Sequence, residues 1–448
     1  MTFISKLADN ALSSSNISKS LFDTYNVKRG LRNADFSGVL VGLTTIGDVV
    51  GYTRVDDKLE PRHGELYYRG IEIRDLVNGF QSNNRTGFEE TAFLLLSGKL
   101  PNSIELQQFS EYIQTQAELP PNFANSLILS LKGSDVMNML ARSVLGLYTT
   151  DPDAEDFSAP NLVKQSMALI ARLPVITAYS YYGMRHDYHR QPLVIRHPKK
   201  GLSLAENFLY MLKGDSYTQL EVALLDLSLV LHAEHGGGNN STFTTRVVSS
   251  SQTDTYAAIA AALGSLKGEL HGGANLKVCD MMENCKANIR NWNDAKEVES
   301  YIGKILNKQA FDGTGKIYGI GHAIYTLSDP RAVLLKEKAR ELAIEKNRQA
   351  EFHLYETIER VAPQIFASHK GGDTKKVAAA NVDFYSGFVY QCMNIPRELF
   401  TPIFAMARMA GWCAHRIEEV TFPSKRIIRP AYKNVCVRSK YQSLDERQ

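Results

Sequence analysis

The sequence predicts a mainly α-helical protein of two domains, with a short β segment near the N-terminus. The chain has 448 residues, which exceeds the length at which one hydrophobic core usually keeps growing, so we expect at least two domains. Helical apolar periodicity bounded by capping residues recurs along most of the chain. Strand patterns, by contrast, are sparse and occur only near the N-terminus.

Composition and charge narrow the function classes. Hydrophobic residues make up 44% of the chain and charged residues 22%, as in ordinary globular proteins. The 51 basic and 48 acidic residues leave a net charge of +3, which argues against nucleic acid or a membrane as the partner. No apolar run is long enough to span a membrane, and the opening MTFISKLADNALSSSN lacks the apolar core of a secretory signal. The five cysteines contain no C-x-x-C pair, which favours reduced thiols in the cytoplasm over a disulfide framework.

The β segment comes first along the chain. Residues 38–57 (GVLVGLTTIGDVVGYTRVDD) and the following GELYYRG carry strand patterns that predict a short sheet. Residues 217–238 are apolar nearly all round and stop at a glycine run, which predicts a buried helix. Residues 253–268 begin with capping residues and are rich in alanine and glycine, which favours close helix packing.

Two further helices are predicted towards the C-terminus. The stretch PRAVLLKEKARELAIEKN places Leu335, Ala339 and Leu342 on one apolar stripe among charges. Residues 396–419 repeat apolar and small side chains on one face, namely Phe400, Ile403, Phe404, Ala407, Gly411 and Ala414. We expect the proline at the start of this stretch to open the helix, and Pro402 to bend or tighten its first turns.

Residues that suit catalysis are concentrated in four segments at helix ends or in loops. These are LHAEHGGGNNSTF with His232 and His235, GELHGGANLKV with His271, GKIYGIGHAIYTLSDPRA with His322 and Arg331, and NVDFYSGFVY with Asp383. His232 and His235 are predicted to share the last turn of the buried helix, where they could bind zinc. Neither an HExxH glutamate nor a third ligand at a diagnostic spacing accompanies them, so we expect no metal and assign His232 to the core.

The two glycine-flanked histidines each allow a purely structural interpretation. The glycines beside His271 could let a ligand approach the imidazole or simply permit tight helix packing. Gly319 and Gly321 before His322 resemble part of a dinucleotide-binding loop. No full GxGxxG, preceding strand or later acidic partner accompanies them, so nucleotide binding through this loop is not favoured.

The carboxylate and the arginines indicate the kind of substrate. Asp383 stands among apolar and aromatic residues, where it is either a helix cap or a carboxylate whose raised basicity suits proton abstraction from carbon. Arg331, Arg408 and Arg429 could be solvated charges, although Arg408 adjoins an apolar face and needs an anionic partner if it is buried. Arginines bind carboxylates, and neutral histidines donate hydrogen bonds to carbonyl oxygens. The set therefore predicts carbonyl chemistry on a small dicarboxylate.

Five motifs in order resemble those of the citrate synthase family: HAEHGGGNNSTF, GELHGGAN, GIGHAIYTLSDPRA, NVDFYSGFVY and FAMARMAGW. The resemblance extends over nearly the whole chain, from LYYRGIEIRDL to IIRPAYKN. It implies a homodimer of mostly helical subunits, with the active site in a cleft that closes to exclude water. By the same resemblance, residues 276–388 form a small domain inserted in a large domain of residues 1–275 and 389–448.

The resemblance also implies a reaction and its catalytic residues. Citrate synthases condense acetyl-CoA with oxaloacetate and water to citrate and CoA through an enol, with no tightly bound cofactor. Asp383 would remove a proton from the acetyl methyl group, and neutral His271 would hydrogen-bond the thioester oxygen. The glycines beside His271 would let the thioester approach it. His322 would polarise the ketone of oxaloacetate as the enol attacks it.

The remaining implied roles concern binding. Arg331 and Arg408 would hold the carboxylates of oxaloacetate, and His235 would add a hydrogen bond. Arg429 would be contributed by the partner subunit. Backbone groups before His322 would receive the adenine end of CoA, at Lys316, Ile317, Tyr318, Gly319 and Gly321.

Some features leave the substrate open. This chain departs from common family patterns at three positions. Glu269 stands in place of proline, Ala323 in place of arginine, and Thr326 in place of a basic residue near the CoA phosphates. A 2-methylcitrate synthase would use propionyl-CoA by the same mechanism, and one methylene gives only about 1–3 kcal/mol of discrimination. The sequence also leaves room for a non-catalytic helical binding protein with the same fold, or for a zinc hydrolase that uses His232 and His235.

Overall fold

The computed structural model describes residues 2–33, 37–56, 58–369, 378–438 and 440–446 of the chain. Within these ranges the protein is mainly helical, with one three-stranded sheet near the N-terminus. The predicted fold class is therefore confirmed. None of the helices in these ranges combines the length and the apolar character needed to cross a membrane.

The described α-helices are numbered in chain order. They are α1 (Phe3–Ser14), α2 (Lys19–Thr24), α3 (Ile73–Gln81), α4 (Phe88–Ser97), α5 (Ser103–Gln116), α6 (Val136–Leu147), α7 (Ala159–His189), α8 (Leu204–Lys213), α9 (Gln219–His232), α10 (Asn240–Ser249), α11 (Thr255–Lys267), α12 (Ala274–Asn288), α13 (Ala295–Leu306), α14 (Pro330–Glu345), α15 (Gln349–His369), α16 (Val382–Cys392) and α17 (Phe400–Thr421). A π-helical turn precedes α6, and short 3₁₀ turns lie between several of the helices.

The sheet consists of β1 (Gly47–Val55), β2 (Lys58–Tyr68) and β3 (Ile71–Glu72), paired antiparallel in chain order. It packs against the loop that follows His322. A Cβ atom at Gly51 would lie 2.4 Å from the carbonyl oxygen of Ile324, and one at Gly64 would lie 2.3 Å from that of Ser328. Only glycine allows this approach, so the sheet supports the His322 loop directly.

The predicted strand over residues 38–57 begins later than expected. Residues 38–46 carry no strand hydrogen bonds of the sheet, and β1 starts at Gly47. The reason lies in Thr45, whose backbone N–H and hydroxyl both donate to Oε1 of Glu418, at 2.8 and 2.9 Å. A carboxylate from α17 therefore takes up a donor that a strand would use.

Helix α17 lies at the centre of the fold, in contact with α4, α7, α9, α10 and α11. It is buried almost all round from Phe400 to Arg416, which exceeds the single buried face predicted from the sequence. The helix begins at Phe400, after a 3₁₀ turn, and not at the proline before it. Pro402 falls in the first turn, where its missing N–H costs no helical hydrogen bond.

The other predicted helices are found, with ends that differ by a few residues from the predicted ones. α11 begins at Thr255, directly after its N-cap Asp254, whose carboxylate accepts from the Ala257 N–H at 2.8 Å. In α14, the predicted stripe of Leu335, Ala339 and Leu342 is fully buried. Helices α12 to α16 pack on one another, and α14 also contacts α9, α3 and β2. The division into residues 1–275, 276–388 and 389–448 stays a prediction.

Candidate active site

The turn after α9 carries two of the predicted histidines. His232 ends α9, whereas His235 lies beyond the helix, so the prediction that both share its last turn is wrong. Beyond the end of the helix, Gly236 adopts a left-handed conformation at φ 78°. The Tyr68 hydroxyl on β2 lies 3.0 Å from the carbonyl oxygens of both Val230 and Glu234, which holds the turn against the sheet.

His232 is a core histidine, as the sequence favoured. Its Nδ1–H donates to the carbonyl of Ser228 at 2.8 Å, and its ring lies 4.9 Å from that of Phe404. Burial, and then the charge of Arg331, lower the pKa of His232 to about 3. Among the described residues, no group of three histidine, cysteine or acidic side chains is placed to hold a metal ion.

His235 lies against the other predicted histidine of the site. Its ring centroid is 5.2 Å from that of His322 and 5.6 Å from that of Tyr325. Burial, followed by the charge of Arg331, lowers the pKa of His235 well below its ordinary value. A neutral imidazole at this position can donate or accept one hydrogen bond.

The glycines beside His271 serve packing. A Cβ atom at Gly272 would lie 2.3 Å from the carbonyl oxygen of Leu266 and 2.6 Å from Cγ2 of Thr401. One at Gly273 would lie 2.8 Å from the carbonyl oxygen of Glu269. Tight packing of the turn between α11 and α12 therefore requires these glycines, and the approach of a thioester that the resemblance implied for them stays a prediction.

The hydrogen bonds of His271 determine which nitrogen carries its proton. Nε2 accepts from the Ser241 backbone N–H at 3.3 Å and lies 3.0 Å from the Ser241 hydroxyl. That hydroxyl in turn accepts from Nε1–H of Trp412 at 3.1 Å. The proton of the neutral ring therefore belongs on Nδ1. Burial, and then Arg408, lower the pKa of His271 to about 4, so the ring is neutral near pH 7.

His322 has the opposite tautomer. Its Nδ1 accepts from the backbone N–H groups of Ile324 and Tyr325 at 3.0 and 3.1 Å, which leaves the proton on Nε2. The Tyr325 ring stacks on the imidazole with centroids 4.7 Å apart. Burial, and then Arg331, lower the pKa of His322 to about 4. His322 is thus a neutral hydrogen-bond donor through Nε2.

Asn381 joins the His322 loop to the helix that carries Asp383. Its Nδ2–H donates to the Gly321 carbonyl at 2.9 Å, and its Oδ1 accepts from the Asp383 backbone N–H at 3.0 Å. The Gly321 N–H donates to the carbonyl of Ala379 at 2.7 Å. The sequence interpretation missed this residue, although an asparagine just before an apolar helix is a common N-cap signal.

Asp383 is the second residue of α16 and is not its cap, because the N-cap is Asn381. Burial raises the pKa of Asp383 to about 6, while Arg331 and Arg408 oppose that rise. A carboxyl group with this pKa is ionised near neutral pH and is more basic than an exposed carboxylate. It therefore suits a general base, as the sequence suggested.

Arg331 is buried and already paired. Asp329, the N-cap of α14, accepts from Nε–H at 3.0 Å and from Nη2–H at 2.7 Å of Arg331. Asp329 is a further residue that sequence reasoning missed, although the Asp-Pro pair at a helix start was a visible signal. The interpretation of Arg331 as a solvated surface charge is excluded by its burial.

Arg408 is fully buried and has unused donors. Its Nε–H donates to the His232 carbonyl at 2.7 Å, and its Cζ lies 4.9 Å from the centre of the Phe404 ring. Nη1 and Nη2 have no hydrogen-bond acceptor in the part of the chain that the structure describes. Burial lowers the pKa of Arg408 to about 10, and the carboxylate of Glu234 opposes that fall. An anionic ligand would satisfy both nitrogens.

The charges of Arg331 and Arg408 link the other predicted side chains electrostatically into one group. Arg331 and Arg408 both act on the pKa values of Asp383 and His235, Arg408 acts on His271, and Arg331 acts on His322. We call this group the candidate site, and it consists of His235, His271, His322, Arg331, Asp383 and Arg408. It combines two arginines, a basic carboxylate and neutral histidines, two of which have their protons on defined nitrogens.

The remaining predicted residues lie outside this group. Arg429 is exposed on the irregular segment that follows α17. The loop that was predicted to receive CoA contains exposed Lys316, buried Ile317 and half-buried Tyr318, whose hydroxyl donates to Asp312 at 2.7 Å. Its two glycines, Gly319 and Gly321, both have positive φ. A Cβ atom at the first would lie 2.8 Å from the Phe384 side chain, so glycine is required there.

Known proteins resemble this chain in sequence. Residues 35–431 match the family model described as the C-terminal domain of citrate synthase. The chain belongs to the citrate synthase family. The citrate synthase of Deinococcus radiodurans is 35% identical over 387 residues, which cover 86% of this chain and 93% of that protein. The 2-methylcitrate synthase of Mycobacterium tuberculosis is 34% identical over 407 residues, covering 90% and 89%.

Solved structures of the family also resemble the fold. Citrate synthase from Thermoplasma acidophilum, in a ternary complex with carboxymethyl coenzyme A and oxaloacetate, superposes with a TM-score of 0.76 at 26% identity, over 94% of this chain and 99% of that one. Citrate synthase from Pyrobaculum aerophilum gives a TM-score of 0.72 at 30% identity, over 92% and 94%.

Proposed function

We propose that this protein is an acyltransferase that condenses acetyl-CoA with oxaloacetate and water, giving citrate and CoA. One observation carries the proposal. The candidate site holds a carboxyl group of pKa about 6 at Asp383 together with two neutral imidazoles that present Nδ1–H at His271 and Nε2–H at His322. This reaction needs one base, which removes a proton from the methyl carbon of the thioester. It also needs two hydrogen-bond donors, one for the thioester oxygen and one for the ketone oxygen.

The first step is removal of a proton from the methyl group of acetyl-CoA. Asp383 takes that proton, and negative charge develops on the thioester oxygen. The Nδ1–H of His271 donates to this oxygen and stabilises the enol. Because Nε2 of His271 is held by Ser241, the donor does not have to reorient during the step.

Carbon–carbon bond formation follows. The methyl carbon of the enol attacks the ketone of oxaloacetate, whose oxygen accepts from Nε2–H of His322 as it gains charge. That oxygen takes up one proton to become the hydroxyl of citryl-CoA, and Asp383 gives up the proton that it accepted, which restores the base. Arg408 supplies Nη1 and Nη2 to a carboxylate of oxaloacetate, Arg331 adds its charge, and His235 adds a hydrogen bond. Water then hydrolyses the thioester of citryl-CoA to citrate and CoA, so no tightly bound cofactor takes part.

Arg408 provides the first test of this arrangement. In Arg408→Leu the substrate loses a charged partner in a buried site, so we expect the KM of oxaloacetate to rise about tenfold or more while the KM of acetyl-CoA changes little. Steady-state kinetics with each substrate varied measures both constants. Arg416→Leu is the matched control, because Arg416 is also fully buried on α17 and also donates to one backbone carbonyl, that of Thr253, but does not belong to the candidate site. An unchanged oxaloacetate KM in Arg408→Leu contradicts the assignment.

The pH dependence of the reaction provides a second test. Asp383 must be ionised to accept a proton, and burial raises its pKa to about 6, so kcat/KM should fall below about pH 6 by roughly tenfold per pH unit. His271 and His322 titrate only near pH 4 and do not contribute to this limb. A kcat/KM profile with acetyl-CoA that stays flat down to pH 5 is incompatible with Asp383 as the base.

We also propose a homodimer in which Arg429 of one subunit completes the site of the other. Two observations support this shared site. Arg429 is exposed on the segment after α17, and it does not belong to the candidate site of its own chain. The loop from Lys316 to Gly321 is proposed to receive the adenine end of CoA through its backbone.

Mixed dimers test the shared site. Asp383→Asn and Arg429→Leu should each be nearly inactive alone, whereas refolding a mixture should restore roughly a quarter of wild-type activity, because half of the dimers are mixed and each has one intact site. Dilution to monomers should abolish the restored activity. Failure of the mixture to regain activity, with dimers present by mass measurement, contradicts a shared site.

A 2-methylcitrate synthase activity is the second candidate, favoured by the similarity to the Mycobacterium tuberculosis enzyme along 90% of this chain. Release of the CoA thiol in the presence of oxaloacetate, with acetyl-CoA and propionyl-CoA in parallel, decides between them by kcat/KM. A clear preference for acetyl-CoA supports the proposal. Equal or better use of propionyl-CoA transfers the mechanism to 2-methylcitrate, and release with neither thioester favours a non-catalytic binding protein.

The cytoplasm is the proposed location. All five cysteines are free thiols, four of them buried, with Cys436 exposed. An exposed free thiol is typical of a protein in a reducing compartment.

A further inference from the structure

A buried carboxylate that the proposed mechanism does not use lies between the two histidines of the HAEH motif. Glu234 is fully buried in the turn between α9 and α10. Its Oε1 accepts from the Gly236 N–H and, at 2.9 Å, from Nε2–H of His415 on α17. Gly236 follows His235 directly, so the Glu234 side chain fixes the turn that carries His235.

The contact with His415 continues through further hydrogen bonds. Nε–H of Arg246 donates to Nδ1 of His415 at 2.9 Å. Because arginine has no acceptor, the His415 proton sits on Nε2, where it is donated to Glu234. The Arg246 guanidinium is bound in turn by Glu418 and Glu419. The position of the Glu234 carboxylate is thus determined jointly by α10 and α17.

Two glycines leave room for this carboxylate. A Cβ atom at Gly47 would lie 2.7 Å from Oε1 of Glu234, and one at Gly411 would lie 2.5 Å from Oε2. Both distances are shorter than van der Waals contact, so a larger residue at either position would displace the carboxylate. The surroundings are therefore shaped to hold a charged side chain in one place.

Glu234 and Arg408 lie close together but form no direct ion pair. Arg408 donates to the His232 carbonyl in the same turn, and Oε2 of Glu234 faces Gly411, one helical turn after Arg408 on α17. Oε2 of Glu234 has no hydrogen-bond donor among the described residues, and Nη1 and Nη2 of Arg408 have no acceptor there. Burial opposes the ionised form of Glu234, yet His415 and then Arg408 hold its pKa below the ordinary value. Glu234 is likewise the largest charge that opposes the lowering of the Arg408 pKa by burial. Arg331, by contrast, has its own carboxylate in Asp329.

We propose that Glu234 is a positioning residue for the condensation reaction. Its ionised carboxylate fixes the turn whose His232 carbonyl binds Arg408, and its charge holds the Arg408 guanidinium in place before oxaloacetate binds. Nη1 and Nη2 are then ready for a substrate carboxylate. Removing this negative charge leaves the buried guanidinium without its main compensating charge, so it loses the arrangement that the substrate needs. The inference rests on the proposed function in taking that substrate to be oxaloacetate.

Glu234→Gln tests the inference, because the amide oxygen can still accept from His415 and Gly236 while the charge is lost. Calorimetric titration of oxaloacetate in the absence of acyl-CoA, together with steady-state kinetics, should show its dissociation constant and KM raised about tenfold or more. The acyl-CoA KM and kcat should stay within about threefold of wild type. Glu234→Asp keeps the charge and should recover most of the loss. Glu221→Gln removes a buried carboxylate that pairs with Lys213 and should leave oxaloacetate binding unchanged.

Unchanged oxaloacetate binding by Glu234→Gln overturns the inference, because the charge would then not affect the substrate. Tighter binding overturns it as well, because the carboxylate would then repel the substrate. Equal weakening towards both substrates, or equal effects of Gln and Asp, assigns a purely structural role and overturns it as well. If Glu234→Gln does not fold, Glu234→Asp decides alone: oxaloacetate binding within about fivefold of wild type supports the inference, and a larger loss overturns it. A wild-type protein that does not bind oxaloacetate refutes the proposed function itself, which distinguishes the two failures.

Discussion

Asp383→Asn is expected to lower kcat by about 10²–10⁴-fold, which is the usual contribution of a positioned general base. Asparagine has nearly the same shape as aspartate but cannot accept the methyl proton of acetyl-CoA. The backbone N–H of residue 383 should still donate to Asn381, so α16 should begin at the same residue. Thiol-release kinetics at saturating substrates measures the loss.

Binding separates this chemical effect from misfolding. Oxaloacetate should bind to Asp383→Asn as tightly as to wild type, because Arg408 and His235 are unchanged. Thermal unfolding should occur within a few degrees of wild type or above it, since a buried carboxylate of raised pKa is replaced by a neutral group. A variant that binds oxaloacetate and retains more than about a tenth of the wild-type kcat would exclude Asp383 as the base.

His271→Ala is expected to lower kcat by about 10²–10³-fold, the cost of removing one donor to a developing oxyanion. The loss should fall on kcat, because Nδ1–H of His271 is proposed to interact most strongly with the enol and not with bound oxaloacetate. Kinetics at varied acetyl-CoA, with oxaloacetate saturating, measures the effect.

Ser241→Ala is the matched control for His271. The backbone N–H of residue 241 still donates to Nε2 in this variant, so the proton stays on Nδ1 and the loss should be under about tenfold. If Ser241→Ala is as damaging as His271→Ala, the hydroxyl itself takes part in the reaction. If His271→Ala costs less than about tenfold, the thioester oxygen is stabilised by another group.

Much of the fold was predictable because its signals are local. The sequence predicts a buried helix around residues 217–238 because apolar side chains occur on all its sides. The corresponding helix, α9, is buried nearly all round. Its end could not be placed, because the chain turns at His232 under the influence of Tyr68 on a distant strand. Periodicity cannot report a contact between residues so far apart in sequence.

The candidate site could also be predicted only in part. The residue types at His271, His322 and Asp383 are visible as unusual polar groups among glycines or apolar neighbours. Their protonation and placement, however, depend on partners. The tautomer of His271 follows from Ser241, and the position of Asp383 follows from Asn381. Ser241 does not stand out by its residue type, and Asn381 stands out only as an N-cap signal.

Glycine was the hardest residue to interpret. A glycine next to a catalytic histidine indicates either ligand approach or close packing, and the residue pattern by itself offers no means of choosing. Gly272 fits against Leu266 and Thr401, residues that lie on two different helices. Only the folded arrangement of α11 and α17 therefore reveals why this position excludes a side chain.

The most direct measurement is the yield of citrate and of CoA thiol from purified protein given acetyl-CoA and oxaloacetate. Mass spectrometry identifies the acid, and a thiol reagent counts the CoA. The account predicts one citrate for each thiol released and no release when oxaloacetate is omitted. Thiol release without citrate, or release that does not require oxaloacetate, would contradict it, because the protein would then hydrolyse the thioester without forming a carbon–carbon bond.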